Sequence, residues 1–298
     1  MSVFVQQQSS INSFSSSDSW VILSEIEQSI KRKIEAVGTP LKDWDIKIYR
    51  GVLTGYNEAF IISTEKRNEI LANCKNEQER TKTEELIRPI LRGRDIKRYG
   101  YEWANLWLIA TFPSRNYDID EYPSVRDYLL TFGIEKLEQT GRTHIVNGET
   151  IKARKKTNNK WFETQDSISY WDDFNQPQIV WIELSDDPKF AYAENITSVN
   201  TVFFMTGDKI LHLLGLLNSK LVTWYFHHCI GTTSGVGTNR WLKYTIEQIP
   251  MPPVDSQLEK LSLDISKHYD QGTDTEIDLL VCKLYGLGKE ETDYIMVQ

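Results

Sequence analysis

The first hydrophobic pattern of the chain has the period of an α-helix. It predicts a helix over residues 20–37, because four isoleucines recur at every fourth position and form one apolar face: Ile22, Ile26, Ile30 and Ile34. Asp18 and Ser19 are residue types that cap helix N-termini, and Gly38 with Pro40 ends the pattern. An amphipathic helix is therefore expected after a Gln- and Ser-rich lead-in.

Five further segments have helical spacing. The segment 209–228 is apolar on most faces and is expected to be largely buried. Two segments near the C terminus have acidic outer faces. The five segments are 63–76, 122–138, 209–228, 255–269 and 275–285.

Short β-branched and aromatic runs predict strands in the middle of the chain, over 107–112, 178–183 and 201–205. Together the helices and strands predict an α+β fold with a mixed β-sheet and flanking helices. We expect three parts: a lead-in and linker helix (1–38), a central domain (39–254) and an acidic helical tail (255–298).

The composition is that of a globular protein. Of 298 residues, 40% are hydrophobic and 26% are charged, and nine Trp, 14 Tyr and 11 Phe supply core material. The three cysteines are far apart and lack metal-site spacing, which indicates reduced thiols and a cytoplasmic location. No secretory signal and no membrane-spanning run is recognisable.

The charge is unevenly distributed. The formal net charge is −8, but residues 255–298 hold ten acids against four lysines, so −6 of the total lies there and −2 in the first 254 residues. Two stretches are basic: 88–98 has five basic residues against Asp95, and 142–160 has six against Glu149. A local basic surface determines attraction to phosphate, so the net charge permits nucleic-acid binding.

Catalytic motifs are missing. An amino-methyltransferase needs a Gly-rich cofactor loop and an Asn/Asp-Pro-Pro-aromatic tetrad, and neither occurs. The Gly-rich segment 231–237 lacks the Gly-Lys-Ser/Thr ending of a phosphate-binding loop. Asp45 and Lys47 match half of a nuclease metal motif, for which a solvated strand edge is the alternative interpretation. We therefore expect neither methyltransferase nor nuclease activity in this chain.

Seven stretches, in order along residues 20–254, resemble the TaqI-like C-terminal specificity domain of type IIG and related type II restriction-modification methyltransferases. The first, Gly51-Val-Leu-Thr-Gly-Tyr-Asn-Glu-Ala-Phe60, is similar to that family's Gly-x-x-Thr-Gly-x-Asn-x-Ala-Phe opening. The others are 87–99, Tyr122-Pro123, Trp161-Phe162 with Gln165, 177–181, 200–226 and 240–252. The last two are also similar to recognition domains of type I specificity subunits.

The resemblance implies a domain that reads the sequence of double-stranded DNA. In such families, a separate or fused catalytic domain binds S-adenosylmethionine and flips the base. We therefore expect two partners, duplex DNA and a methyltransferase catalytic domain or subunit, and no cofactor in this chain. The alternative is an acidic protein-interaction module that docks to a methyltransferase without touching DNA.

Given this resemblance, we expect DNA contacts from three groups of residues of the types that bind phosphates and base edges. The first is the basic segment of Arg142, Lys152, Arg154, Lys155, Lys156, Asn158, Asn159 and Lys160, for which a solvated flexible loop is the alternative. The second is Arg92, Arg94, Lys97 and Arg98, where an ion pair of Arg94 or Asp95 could instead fix a turn. The third is the polar loop of Thr232, Thr233, Ser234, Asn239, Arg240 and Lys243.

Two further expectations concern structure. Gly55 is expected to adopt a positive φ, with Asn57 capping the turn. The helix at 20–37 and the tail helices are expected to dock to the methyltransferase through exposed apolar faces.

Overall fold

The structure is a computed structural model that describes residues 23–233 and 238–298, with the backbone alone for Thr232 and Thr233. The described helices are α1 (Glu25–Val37), α2 (Asn57–Phe60), α3 (Thr64–Ala72), α4 (Glu77–Leu86), α5 (Pro123–Leu130), α6 (Ile134–Leu137), α7 (Ile210–Asn218), α8 (Lys220–Tyr225), α9 (Lys243–Ile246), α10 (Ser256–Lys267), α11 (Gln271–Leu284) and α12 (Lys289–Met296).

The described strands form two four-stranded sheets and three two-stranded ones. They are β1 (Thr39–Pro40), β2 (Ile46–Arg50), β3 (Ile61–Ser63), β4 (Ile87–Leu91), β5 (Leu106–Ile109), β6 (Thr143–Val146), β7 (Glu149–Lys152), β8 (Gln178–Ile182), β9 (Ala191–Ala193), β10 (Thr197–Ser198), β11 (Val202–Gly207), β12 (Thr232–Thr233), β13 (Asn239–Arg240) and β14 (Pro250–Met251).

One four-stranded sheet, in the order β2-β11-β8-β9, is antiparallel, and its central strands β8 and β11 are buried on both faces. Successive residues of β8 alternate between two cores: Ile179 and Trp181 join the core beneath α7 and α8, whereas Val180 joins the other. A strand that is covered on both faces has no polar face. This is why β8 and β11 have nearly continuous apolar sequences.

The second four-stranded sheet, in the order β10-β4-β5-β3, lies in the other core. Its β10 and β4 are parallel, and the remaining pairs are antiparallel. The predicted α+β fold with mixed sheets is confirmed. Among the described helices, none is long and apolar enough to cross a membrane.

The predicted long helix over 209–228 is buried but not continuous. It is divided at Ser219, whose ψ of 149° is extended and whose hydroxyl accepts a hydrogen bond from Val222 N at the start of α8. The buried Asn218 side chain donates to Phe190 O and Leu214 O. After Tyr225 the chain continues as one π-helical turn, Phe226–Ile230.

Other predicted helix boundaries also differ. The helix expected over 63–76 ends at Ala72, and the polar residues after it begin α4, which Asn76 caps through Glu79 N. The helix expected over 122–138 is interrupted at Gly133, whose φ is 82°. In the first case a capping asparagine starts a new helix, and in the second a glycine with a positive φ precedes the new helix.

The apolar faces of the terminal helices are buried within the chain, so the expectation that they are exposed for docking is wrong. The core beneath α7 and α8 includes Ile30 and Ile34 of α1. It also includes the buried apolar residues of α10–α12, which are Leu258, Ile265, Ile277, Val281, Cys282 and Ile295. Glu291 of α12 accepts hydrogen bonds from Ser29 and Lys33 of α1. Residues on both sides of Val254 therefore share one core, and the three-part division stays a prediction.

Candidate nucleic-acid interface

A β-hairpin begins the basic segment. Its strands, β6 and β7, pair in antiparallel register with Thr143 opposite Lys152. Asn147 and Gly148 close it with φ angles of 50° and 83°, the two-residue turn that Asn-Gly favours. The hairpin pairs with no other strand among the described residues. It is connected to the body of the protein at the end opposite its turn.

Arg154 follows the hairpin directly and is buried, with 4% of its surface exposed. Its guanidinium donates hydrogen bonds of 2.6–2.9 Å to four backbone carbonyls, those of Thr54, Leu137, Trp161 and Glu163. Burial lowers the pKa of Arg154 to about 10, although the negative charge of Glu163 acts to raise it. The side chain therefore stays charged at neutral pH. Four of its five N–H donors are used internally. We therefore assign Arg154 to the scaffold, not to the DNA-contacting set.

Two amides fix the remainder of the basic segment. Gln139 is 4% exposed, and its amide donates to Glu163 O at 3.0 Å while its oxygen accepts from Thr157. Asn159 donates to Thr164 O and Gln165 O. The part of the segment that follows the hairpin is thus hydrogen-bonded to the body. Asn159 acts within the scaffold, and the alternative of an untethered flexible loop does not fit these contacts.

The remaining cations of this segment face solvent. Arg142, Lys152, Lys155, Lys156 and Lys160 are exposed, as is Asn158. Lys155 and Lys156 have no carboxylate oxygen within 4 Å in the part of the chain that the structure describes. Lys160 Nζ lies 3.5 Å from Tyr117 O. Exposed, unneutralised cations on a fixed backbone are suited to contacting a polyanion.

The Thr54–Asn57 turn meets this segment. Gly55 has the predicted positive φ, 79°, and a Cβ there would lie 2.9 Å from Gln165 Oε1 and 3.2 Å from Arg154 Cδ. Thr54 is buried and donates from its hydroxyl to Asn57 Oδ1 at 2.6 Å. The glycine is needed for conformation and for space, since a side chain would collide with the groups that hold the basic segment.

The second predicted group is mostly engaged in ion pairs. The ion pair expected of Arg94 or Asp95 joins Arg92 to Asp95, at 2.7 Å from Nη2 to Oδ1. Arg98 makes a two-pronged pair with Asp274 of α11, at 2.8 and 2.9 Å. Lys97 lies 3.4 Å from Glu102, and only Arg94 of this group is exposed without an ion pair among the described residues. Arg92 and Arg98 therefore stabilise the fold.

The third predicted group surrounds β12 and β13. Arg240 pairs with Glu183, and Asn239 N donates to Asp186 Oδ1. Lys243 is exposed and lies 3.7 Å from Glu247. The backbones of Thr232 and Thr233 pair with β13, whereas Ser234 lies outside the described residues. The cations of this group are thus neutralised by neighbouring carboxylates.

One cationic cluster has no signal in the sequence. The guanidinium of Arg115 lies 4.3 Å from the ring centre of Trp171, and that of Arg88 lies 5.6 Å from it. Arg115 is exposed and has no ion pair in the described part of the chain. The three residues are distant in the sequence, so only the fold brings them together.

The nuclease alternative rests on Asp45 and Lys47. Lys47 Nζ lies 3.7 Å from Asp173 Oδ1. Among the described residues, no three His, Cys, Asp or Glu side chains are grouped so as to hold a metal ion.

Two solved structures share the fold. The type IIL restriction-modification enzyme MmeI, in complex with DNA, matches with a TM-score of 0.55 and 12% identity over 87% of this chain and 37% of that chain. The type IIG restriction endonuclease BpuSI matches with a TM-score of 0.55 and 13% identity over 91% of this chain and 31% of that chain. The chain thus spans about a third of the length of each.

A family model for the TaqI-like C-terminal specificity domain matches residues 88–251, more than half of the chain. The match includes the hairpin, the basic segment and strands β8, β9 and β11. It confirms the resemblance seen in the sequence motifs. The chain belongs to the TaqI-like C-terminal specificity domain family.

Proposed function

We propose that this protein recognises a specific sequence of double-stranded DNA as the specificity part of a restriction-modification methyltransferase. The observation that carries the proposal is the basic segment 142–160, which presents unpaired cations on a hydrogen-bonded frame in a member of a specificity-domain family. Methyl transfer, with S-adenosylmethionine, belongs to a catalytic partner domain or subunit. This chain supplies the selection of the site.

The phosphate contacts are assigned to the exposed cations of the basic segment. Lys155 and Lys156 are adjacent, exposed and not neutralised, so each can replace one condensed counterion on the duplex. The remaining cations of this proposed set are Arg142, Lys152 and Lys160, and the exposed amide of Asn158 is proposed as a further contact. Arg94, Lys97, Asn239 and Lys243 stay proposals for outer contacts.

The proposal is tested by removing charge at the proposed surface and, as a control, elsewhere. In the Lys155→Ala/Lys156→Ala variant, we expect weaker binding to every duplex and a salt dependence whose slope in log Kd against log salt falls by about 1.8, or about 0.9 for each phosphate contact. The matched control is Lys260→Ala/Lys283→Ala, which removes the same charge from exposed positions on α10 and α11.

Equal loss of affinity in both variants would show only a general charge effect and would contradict the assignment. The alternative, an acidic protein-interaction module, predicts a different result. A methyltransferase would co-purify with the chain, but the chain would not retard duplex DNA.

A further inference from the structure

We propose that the β6–β7 hairpin enters the major groove and reads base pairs through one face. This inference rests on the proposed DNA-binding function and names the element that carries its specificity. The exposed lysines beyond the hairpin then hold the phosphates, and the hairpin distinguishes one sequence from another.

The two faces of the hairpin differ. Residues directly opposite each other in an antiparallel pair point to the same face, so the register sorts the side chains into two groups. One face is wholly exposed and consists of Thr143, Ile145, Thr150 and Lys152. The other contains three half-buried side chains and the exposed Glu149: His144, Val146, Glu149 and Ile151. The hairpin thus presents one complete face to solvent, and its one carboxylate lies on the opposite face.

Ile145 is the unusual member of that exposed face. Its side chain is 79% exposed, more than any other large hydrophobic residue of the described chain except Val297 near the C terminus. It is flanked on its own face by two threonines, which add methyl groups as well as hydroxyls. A cationic and apolar strip of this kind is complementary to base edges, where thymine offers a 5-methyl group and guanine offers acceptors.

The dimensions of the hairpin fit one groove and not the other. Two paired strands lie about 4.8 Å apart, and four residues of strand extend about 13 Å. The major groove is about 12 Å wide and about 8.5 Å deep and admits a two-stranded ribbon, whereas the minor groove is only about 6 Å wide. The Asn147-Gly148 turn leaves the tip narrow, and a Cβ at Gly148 would meet no atom within 4 Å.

The base of the hairpin is held in place, which a reading element requires. Gly141 N donates to Arg154 O and Ala153 N donates to Arg142 O, both next to the four-carbonyl contact of Arg154. On the side facing the body, His144 Nε2 lies 2.6 Å from Glu138 Oε1. The orientation of the ribbon is therefore fixed before binding, and less conformational entropy is lost on contact.

The charge around the hairpin favours DNA over a protein partner as its occupant. Arg142 and Lys152 lie at the end of the hairpin that joins the body, and Lys155 and Lys156 directly follow Arg154. Duplex DNA, with its anionic phosphates and its groove, matches a hairpin whose attached end is cationic and whose exposed face is partly apolar.

The test uses the full chain and a binding selection on randomised duplex DNA at fixed salt. The variants are Ile145→Ala and Thr150→Ala, and the matched control is Val297→Ala, which shortens an equally exposed aliphatic side chain elsewhere. All these positions are exposed, so the variants are expected to fold like the wild type, which a thermal unfolding curve checks.

We expect the wild type to select a defined motif and Ile145→Ala to lose about tenfold of its discrimination at one or two adjacent base pairs, with the other positions unchanged. Replacing thymidine by deoxyuridine at the affected pair should weaken the wild type and leave Ile145→Ala unchanged. An unaltered motif in both hairpin variants overturns the inference but leaves the proposed function intact.

Three other outcomes also decide the matter. A wild type that binds duplexes without selecting any sequence overturns the base-reading role of the hairpin. A wild type that binds no duplex at all overturns the proposed function together with the inference. If Ile145→Ala keeps the motif but no longer captures the methyltransferase catalytic domain, the exposed face is a protein contact and the inference is wrong.

Discussion

Arg154 provides the sharpest prediction, because its neighbour in the sequence has the opposite role. Replacing Arg154 by Ala removes hydrogen bonds to four carbonyls. Those of Thr54 and Glu163 also accept from Gln165 N and Gln139 Nε2, respectively. The carbonyls of Leu137 and Trp161 have no second donor among the described hydrogen bonds that involve loops and side chains.

The size of the effect follows from these contacts. Two carbonyls left without a donor cost about 1–3 kcal/mol each, so their joint contribution is about 2–6 kcal/mol. The guanidinium also lies 5.0 Å from the ring centre of Phe60, and this packing is lost as well. We expect Arg154→Ala to lower the free energy of unfolding by about 3–5 kcal/mol, within the range known for disrupting buried charged networks.

Urea denaturation followed by tryptophan fluorescence measures this loss, with Lys155→Ala as the control. Lys155 is exposed and unpaired, so its removal should change the free energy of unfolding by less than about 0.5 kcal/mol while weakening DNA binding. Hydrogen exchange of the Ala153 and Thr157 amides reports whether the base of the hairpin opens first. A loss of less than about 1 kcal/mol in Arg154→Ala would refute the view that this arginine holds the segment.

Three other substitutions have clear expected outcomes. Burial raises the pKa of Asp278 to about 6, although the hydrogen bond from Lys220 N acts to lower it. The free energy of unfolding of the wild type should therefore fall as pH rises from about 4 to 6. At pH 7.5 the Asp278→Asn variant should be more stable than the wild type by at most about 3 kcal/mol, whereas at pH 4 the two should differ little. Denaturation at each pH measures this difference. Burial opposes the ionisation of Asp95, but its bonds with Arg92 prevail and lower its pKa; the stability it contributes is present at neutral pH and is lost as pH falls through that lowered value. Asp95→Asn should accordingly cost about 1.5–3 kcal/mol at pH 7, a difference that shrinks on acidification. Gly55→Ala should lower the melting temperature, with a cost of about 1–3 kcal/mol, because φ is positive and the new Cβ approaches Gln165; an unchanged melting curve would contradict this.

The parts of the fold that the sequence predicts are those with local causes. The strands β8 and β11 were recognisable because a sheet covered on both faces requires continuous apolar runs. Gly55 was recognisable because glycine tolerates a positive φ. The tail helices α10 and α11 were recognisable from their period, and their apolar faces pack inside the chain.

The role of Arg154 could not be predicted in this way. Its partners are carbonyls, which every residue has, and they come from positions 54, 137, 161 and 163, which only the tertiary fold brings together. The same applies to Arg98 and its pair with Asp274, 176 positions away. The hairpin did have a local signal, since Asn147-Gly148 between short strands favours a two-residue turn. Basic composition alone cannot separate arginines that face solvent from those that support the backbone.

The four-carbonyl contact of Arg154 has a consequence for how such a domain can diversify. Because the guanidinium binds main-chain oxygens, it places no requirement on the identity of the side chains at 54, 137, 161 or 163 beyond their backbone path. The exposed face of the hairpin likewise contributes nothing to the buried core. Under the base-reading role that we propose for the hairpin, substitutions on that face can accumulate in a lineage while the anchoring arginine remains. New target preferences would then arise by drift in a few surface positions without a compensating change in the interior.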